Sequence, residues 1–205
     1  MKAIEVTRLS FVYPDGVPAL REVSLAVEEG ECVGLIGSNG AGKSTLLLHL
    51  NGLLPEKIPE SSPISVFGEP ISILNVDRIR RDVGLLFQNP DDQLFCPTVF
   101  DDVAFGPQQF GLAEAELAAR VRRALEEVRL SGFEKRSPHH LSHGEKRRVC
   151  LAGVLACDPR VLLLDEPTSD LDPRARREFK SLLKGVSATK VIASHDLEMI
   201  VELCS

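Results

Sequence analysis

The sequence predicts an α/β fold in which a helical segment interrupts a core of short buried strands. Three observations support this prediction. A glycine-rich loop at residues 37–45 stands between a short apolar strand pattern and a helix pattern. Further short apolar runs are typical of buried strands in a parallel sheet. Between Val99 and Cys157 these runs give way to apolar residues three and four positions apart, which is the helical period.

Length and composition limit the classes of protein to consider. The 205 residues suit one domain, and 43% hydrophobic residues suffice for a sizeable core. A net charge of −6 argues against a nucleic-acid binder. The apolar runs are too short to span a bilayer and the N-terminus lacks a signal-peptide pattern, so we expect a cytosolic chain with no transmembrane segment of its own. The five cysteines are odd in number and lack C-x-x-C spacing, so we expect them reduced and mostly buried.

The glycine-rich loop fits the pattern G-x-x-x-x-G-K-[ST], which binds phosphate groups. Its residues are Gly37, Ser38, Asn39, Gly40, Ala41, Gly42, Lys43, Ser44 and Thr45. The glycines let the backbone turn tightly around an anion, and successive N–H groups can point inward. Lys43 can reach the β- and γ-phosphates of a nucleotide, and the Ser44 hydroxyl can ligate Mg²⁺. A chance glycine-rich turn is the alternative, and the flanking strand and helix patterns argue against it.

The part before the loop predicts two strands joined by a turn. Residues 2–12 alternate loosely between apolar and polar, and a second strand is predicted from Leu20 to Val27. Turn residues at 13–16 separate the two strands. Tyr13 is the only tyrosine, and its ring lies upstream of the phosphate loop, where it could stack on a nucleotide base. The alternative is a half-buried aromatic at a strand end, which the local sequence favours.

The part after the first helix predicts a loop, two short strands and a basic helical turn. The loop is predicted at residues 51–63, the two strands at 64–68 and 83–87, and the helical turn at 76–81. Gln88 directly follows the second of these strands. Asp91 and Asp92 together suggest a metal site, but adjacent acidic residues are more often a solvated helix start.

The segment from residue 90 to 157 predicts a helical insertion in the α/β core. One helix has an apolar face formed by Leu117, Val121, Leu125 and Val128, with a charged, solvated face opposite. The last helix of the insertion begins near Ser142, a suitable N-cap with Glu145 three positions on, as in a capping box. A zinc site would need further ligands, because no cysteine or carboxylate stands at ligand spacing from the histidines His139, His140 and His143.

Two acidic residues, Asp165 and Glu166, follow the apolar strand pattern Val161–Leu164. Open α/β sheets bind ligands at the carboxyl ends of their strands, so Asp165 is placed for Mg²⁺, directly or through water. Glu166 is placed to orient or deprotonate an attacking water. Ordinary solvated loop chemistry is the alternative, and the phosphate loop in the same chain favours a functional role. His195 follows the next predicted strand, 189–193. A lone histidine at a strand end is usually structural, but His195 is the third polar group at a strand end of this sheet, which favours a position facing the γ-phosphate.

Taken in chain order, these motifs resemble those of ABC-transporter ATPase subunits over nearly all 205 residues. The resemblance implies a P-loop NTPase of the ABC-ATPase fold, with a RecA-like core, an antiparallel β subdomain and an inserted helical subdomain. The core and β subdomain would take residues 1–89 and 158–205, and the helical subdomain residues 90–157. The family pairs two such domains head to tail around two ATP molecules, as a homodimer or with a paralogue.

The resemblance also implies a role for each motif. Tyr13 becomes the aromatic that stacks on adenine, which reverses the local preference. Gln88 becomes a residue of the lid loop that contacts Mg²⁺ and water, Asp172 lies in the loop at the dimer interface, and His195 contacts the γ-phosphate. The signature segment, Leu141-Ser142-His143-Gly144-Glu145, would reach the ATP held by the partner's phosphate loop.

Finer details resemble the energy-coupling-factor transporters. Residues 87–95 and 101–107 are similar to that group, and residues 138–142 and 152–156 are similar to its cobalt and nickel branch. The resemblance implies an ATPase at the cytoplasmic face of the membrane that energises import of a divalent transition metal, cobalt before nickel, through integral membrane partners. An energy-coupling ATPase for a vitamin, and a soluble ABC ATPase in DNA repair or translation, are the alternatives.

The chain departs from the family pattern in three places. Position 143 is His where Gly is usual, position 145 is Glu where Gln is common, and the sequence stops soon after His195. The first two changes affect residues expected to contact the γ-phosphate across the dimer. The third leads us to expect that the C-terminal part of the family fold is missing.

Overall fold

The computed structural model describes residues 1–60 and 62–204. Ser61, in the predicted loop, and Ser205, at the end of the predicted domain, lie outside the described residues. The chain forms two compact units. The first unit comprises residues 1–85, 160–165 and the chain from Ser187 onward, and the second comprises residues 86–159 and 166–186. The subdomain boundaries drawn from the sequence stay a prediction.

Eight strands and seven α-helices make up the described part of the chain. In order they are β1 (Lys2–Val12), β2 (Pro18–Glu28), β3 (Cys32–Ile36), α1 (Lys43–Leu50), β4 (Ile64–Val66), β5 (Glu69–Pro70), α2 (Val76–Asp82), β6 (Val83–Leu86), α3 (Val99–Gln109), α4 (Glu114–Glu127), α5 (His143–Leu155), β7 (Val161–Asp165), α6 (Pro173–Gly185), β8 (Thr189–Ser194) and α7 (Leu197–Leu203).

The first unit contains an antiparallel sheet in the order β2-β1-β4-β5. Its central strand β1 buries Ile4 and Val6 and pairs with both neighbours, so that Ile4 lies opposite Val27 on β2 and Val66 on β4. The two-residue strand β5 was not predicted from the sequence. It lies at the edge of the sheet, which is where a strand can accommodate a proline such as Pro70.

A second sheet has the order β3-β8-β7-β6, with β3 and β7 both parallel to β8. Every residue of β7 is buried, as expected for a strand covered on both faces. Helix α7 packs directly against Gly34 of β3. A Cβ atom at this position would lie 2.3 Å from Ile200 Cγ2, so the close packing requires glycine. Helix α1 packs against β7 and β8. This sheet forms the core from which the phosphate loop emerges.

The second unit is helical. Helix α3 packs against α4 and α5, and α4 also packs against α5. The predicted apolar face of α4 is confirmed, since Leu117, Val121, Leu125 and Val128 are all buried. Gly106 allows α3 to lie against the chain after α5, because a Cβ there would come within 2.4 Å of Cys157 Sγ.

The cysteines only partly follow the prediction. All five are free thiols. The expectation that most of them are buried is wrong, because Cys150 alone is buried and the other four are half-exposed. Cys32, at the start of β3, and Cys204, at the end of α7, lie close together, with 2.7 Å between their Sγ atoms. In residues 1–60 and 62–204, no helix has both the length and the apolar character needed to cross a membrane.

Candidate functional site

Three of the predicted site segments meet at one edge of the parallel sheet in the first unit. Strand β8 lies between β3 and β7, with Ile36 opposite Ser194 and Asp165 opposite Ala193. The carboxyl ends of these parallel strands therefore share an edge. The phosphate loop after Ile36, the Asp165 carboxylate and the exposed His195 all lie at this edge, where open α/β sheets bind ligands.

The phosphate loop has the backbone conformation that its glycines permit. Gly40 and Gly42 both have left-handed φ angles, of 79° and 88°. A Cβ at Gly42 would lie 2.4 Å from the carbonyl oxygen of Ala19, so only glycine fits here. The Lys43 ammonium lies against the loop and donates to Gly37 O at 2.9 Å and Ser38 O at 3.2 Å. The loop is thus a tight turn with a cation folded over it, at the N-terminal end of α1, an arrangement suited to phosphate.

The donor set at the same edge suits Mg²⁺. Ser44 is exposed in the first turn of α1, and Asp165 is 8% exposed at the end of β7, against which α1 packs. Hydroxyl and carboxylate oxygens are the ligands that this hard cation prefers. In residues 1–60 and 62–204, no three His, Cys, Asp or Glu side chains are grouped so that they could hold a metal by themselves. A Mg²⁺ ion here would therefore share its coordination with phosphate oxygens and water.

Tyr13 is tied to the helix that follows the phosphate loop. Its hydroxyl lies 2.9 Å from Thr45 Oγ1, and its half-buried ring meets the ring of Phe11 edge to face at 5.0 Å. Phe11 in turn meets the ring of His49 at 4.5 Å, and His49 Nδ1 lies 2.7 Å from Thr45 O. Burial lowers the pKa of His49 below its ordinary value. These contacts fix Tyr13 next to α1, which is compatible with both interpretations of the residue.

The signature segment begins α5 with a complete capping box in the second unit. Ser142 Oγ accepts from Glu145 N at 3.3 Å, while Glu145 Oε2 accepts from Ser142 N at 2.8 Å and from Ser142 Oγ at 2.7 Å. These hydrogen bonds from Ser142 hold the pKa of the Glu145 carboxyl below its ordinary value. The capping box predicted from the sequence is confirmed. The Glu at position 145 therefore completes a helix cap.

A groove of about 450 Å³ lies between the starts of α5 and α6. Gly144 permits this close approach, since a Cβ there would lie 3.3 Å from Ala175 Cβ. Asp172 caps α6 by accepting from Arg174 N and Ala175 N, which lowers the pKa of its carboxyl. His143 also lines the groove, and its Nε2 atom is buried without a hydrogen bond to any described residue. The groove thus unites the signature segment with the loop that carries Asp172.

Gln88 and Glu166 also lie in the second unit, in different environments. Gln88 is exposed just after β6, whereas Glu166 is 6% exposed just after β7. The φ angle of Glu166 is 42°, in the left-handed region that non-glycine residues rarely adopt. Sequence reasoning missed Arg147, which is fully buried beside both segments. No local pattern marks Arg147 as buried, because it stands within the charged run at residues 145–148.

Comparison with known proteins gives one matching family and close relatives. Residues 20–169 match the model of the ABC transporter family. A Geobacter sulfurreducens protein named as an ABC transporter ATP-binding protein is 51% identical over 201 residues, which cover 98% of this chain and 80% of the relative. An energy-coupling factor transporter ATP-binding protein, EcfA of Methanothermobacter thermautotrophicus, is also 51% identical, over 96% of this chain and 64% of the relative.

A solved structure matches the fold as a whole. It is cbiO1 from Clostridium perfringens, described as part of the ABC transporter complex cbiONQ. The TM-score is 0.85 at 38% sequence identity, and the match covers 99% of this chain and 82% of the other. This confirms the predicted fold class, a P-loop ABC-ATPase fold of mixed α/β content.

Proposed function

Since the chain belongs to the ABC transporter family, we propose that it is the ATP-hydrolysing subunit of an energy-coupling-factor transporter that imports a divalent transition metal. The family assignment makes the chain an ATPase that powers transport and binds ATP with Mg²⁺. The energy-coupling-factor assignment is supported by the relative named EcfA and by the similarity to cbiO1. Cobalt, with nickel second, is favoured by the resemblance of residues 138–142 and 152–156 to that branch of the group.

The proposed chemistry is positioning and electrostatic stabilisation. Mg²⁺, when bound, neutralises phosphate charge, and Ser44, Asp165 and Gln88 are the residues proposed to hold it. Lys43 holds the β- and γ-phosphates on the phosphate loop. Glu166 orients the attacking water and accepts its proton, and His195 contacts the γ-phosphate. The meeting of the phosphate loop, Asp165 and His195 at one sheet edge is the single observation that supports this assignment most.

The proposed partners are a second ATPase domain and integral membrane subunits. The groove formed by the signature segment and the Asp172 loop is the surface that we propose for the γ-phosphate of the partner's ATP. The membrane subunits are proposed to contact α3 and the loop before it, where Phe105 of α3 and Phe95 of the loop form an exposed pair with ring centroids 5.0 Å apart. Asp102 supports this pair by accepting from Phe95 N and Cys96 N. The chain would then act at the cytoplasmic face of the membrane.

Uptake measurements test the proposed substrate. Deletion of the gene should abolish high-affinity cobalt or nickel uptake while other solutes still enter, and the intact gene should restore it. Normal uptake of both metals in the deletion strain would contradict the metal assignment and favour a vitamin. Co-purification from native membranes should recover integral membrane subunits. Recovery of the chain only with DNA-repair or translation factors would contradict the transport assignment.

The ATPase itself is not expected to select the metal. In the described part of the chain, the histidines of the signature region, His139, His140 and His143, belong to no group of three His, Cys, Asp or Glu side chains that could hold a metal. Soft or borderline metals need such a set of ligands for tight binding. Calorimetry of the isolated subunit should therefore show only weak Co²⁺ or Ni²⁺ binding. Micromolar binding that is lost in His139→Ala would contradict this expectation.

A further inference from the structure

Arg147 is the largest fully buried side chain of the described residues, and its contacts lie at two segments of the proposed site. One guanidinium nitrogen donates to Phe87 O at 2.8 Å, directly before Gln88. The other donates to Ser169 Oγ at 3.0 Å and lies 3.5 Å from both Ser169 O and Glu166 O. A planar guanidinium can span two such groups of acceptors because its donors point in fixed, divergent directions.

The Glu166 backbone is held in an unusual conformation at this point. Its φ of 42° places a non-glycine residue in the left-handed region, which persists only where the surroundings impose it. The Glu166 carbonyl oxygen accepts from Ser169 N at 3.1 Å and from Ser169 Oγ at 2.9 Å. Arg147 in turn donates to the same hydroxyl oxygen. The buried Arg147 side chain of α5 therefore fixes the turn from Glu166 to Ser169 through its hydrogen bond to Ser169 Oγ.

We infer that Arg147, acting through Ser169, is a positioning residue that sets the backbone of Glu166 and thereby aims its carboxylate at the attacking water. The inference rests on the proposed role of Glu166 in hydrolysis. The same guanidinium also donates to Phe87 O and thereby fixes the backbone directly before Gln88. Arg147 stands on α5 five residues after Ser142, so the helix that begins at the signature segment also fixes the catalytic turn.

Two substitutions test this inference in the full chain. Ser169→Ala removes the hydroxyl but keeps the backbone N–H, and should lower kcat about tenfold, the effect of one hydrogen bond to a charged or constrained partner. Arg147→Gln should lower kcat by about 10²-fold, because small misplacements of a catalytic group have effects of that size. The phosphate loop is untouched, so the Kd for ATP should stay within about twofold of the wild-type value.

Matched variants separate positioning from stability. Arg123→Gln, on the exposed surface of α4 where the side chain is 76% exposed, should leave kcat unchanged. Urea unfolding of each variant shows whether it is folded. If Arg147→Gln does not fold, Ser169→Ala, at a half-buried position, decides the question.

A double substitution distinguishes this inference from the proposed function. In a Glu166→Gln background the carboxylate is absent, so adding Ser169→Ala should not lower the residual single-turnover rate further. An independent tenfold loss in that background would contradict positioning. Wild-type kcat in folded Ser169→Ala and Arg147→Gln would also overturn the inference while leaving the proposed function intact. Wild-type turnover in Glu166→Gln itself would instead overturn the role of Glu166.

Discussion

Substitution of Gly42 by alanine should destabilise the fold more than the same change at Gly40, two residues away in the same loop. Both glycines have left-handed φ angles, 88° and 79°. An alanine in this conformation lowers the free energy of unfolding by about 1–2 kcal/mol. A Cβ at Gly42 would also lie 2.4 Å from Ala19 O and 3.1 Å from Leu20 Cδ2, whereas a Cβ at Gly40 meets nothing within 4 Å. Overpacking adds about 1–3 kcal/mol.

The free energy of unfolding should therefore fall by about 2–5 kcal/mol in Gly42→Ala and by about 1–2 kcal/mol in Gly40→Ala. Urea unfolding, followed by circular dichroism without nucleotide, measures both values, and Gly40→Ala serves as the control for backbone strain alone. The difference between the two variants isolates the contact with β2. Equal losses would refute the close approach of the loop to Ala19.

Three further predictions concern the binding groups. Lys43→Ala should weaken ATP binding about tenfold or more, because a charge-assisted contact to phosphate is lost; unchanged affinity by calorimetry would remove the phosphate-loop assignment. Tyr13→Ala should weaken the binding of ATP and of GTP alike by about 1–3 kcal/mol, the scale of base–aromatic stacking. Equal affinity in the wild type and the variant would show that the role of Tyr13 is only structural. At pH values above 4.5, the ordinary pKa of a glutamate, the ionised Glu145 of the capping box stabilises α5 in full. This contribution should fade as the pH falls through the lower pKa that Glu145 has in the folded state. Unfolding of Glu145→Gln measured from pH 6 to pH 3 should show a smaller loss of stability than the wild type, and parallel curves would contradict the assignment.

The elements predicted from the sequence are those with a strong local pattern. Strand β7 and the face of α4 followed from apolar spacing, and Ser142 could be recognised as a cap because capping depends on neighbouring residues. Strand β5 was missed because two residues, one of them proline, give no period. The half-exposed cysteines were mispredicted because the burial of a single side chain depends on tertiary packing and not on residue type alone.

Arg147 and the conformation of Glu166 could not be predicted from local pattern. The charged run at residues 145–148 suggests a solvated helix face, yet the rotation of α5 in the packed unit turns Arg147 inward. Its acceptors, Phe87 O and Ser169 Oγ, are 60 and 22 residues away in the sequence. Hydrogen bonds over such separations exist only once the chain has folded, and they support the left-handed backbone at Glu166.

ATP turnover by Glu166→Gln is the most direct test of the central claim, that this chain hydrolyses ATP with Glu166 at the end of β7. The substitution keeps the shape of the side chain and removes its basicity, so turnover should fall by about 10²–10⁴-fold. ATP affinity, measured on the same preparation, should stay near the wild-type value because the phosphate loop is unchanged. Hydrolysis at the wild-type rate with ATP bound normally would contradict the claim.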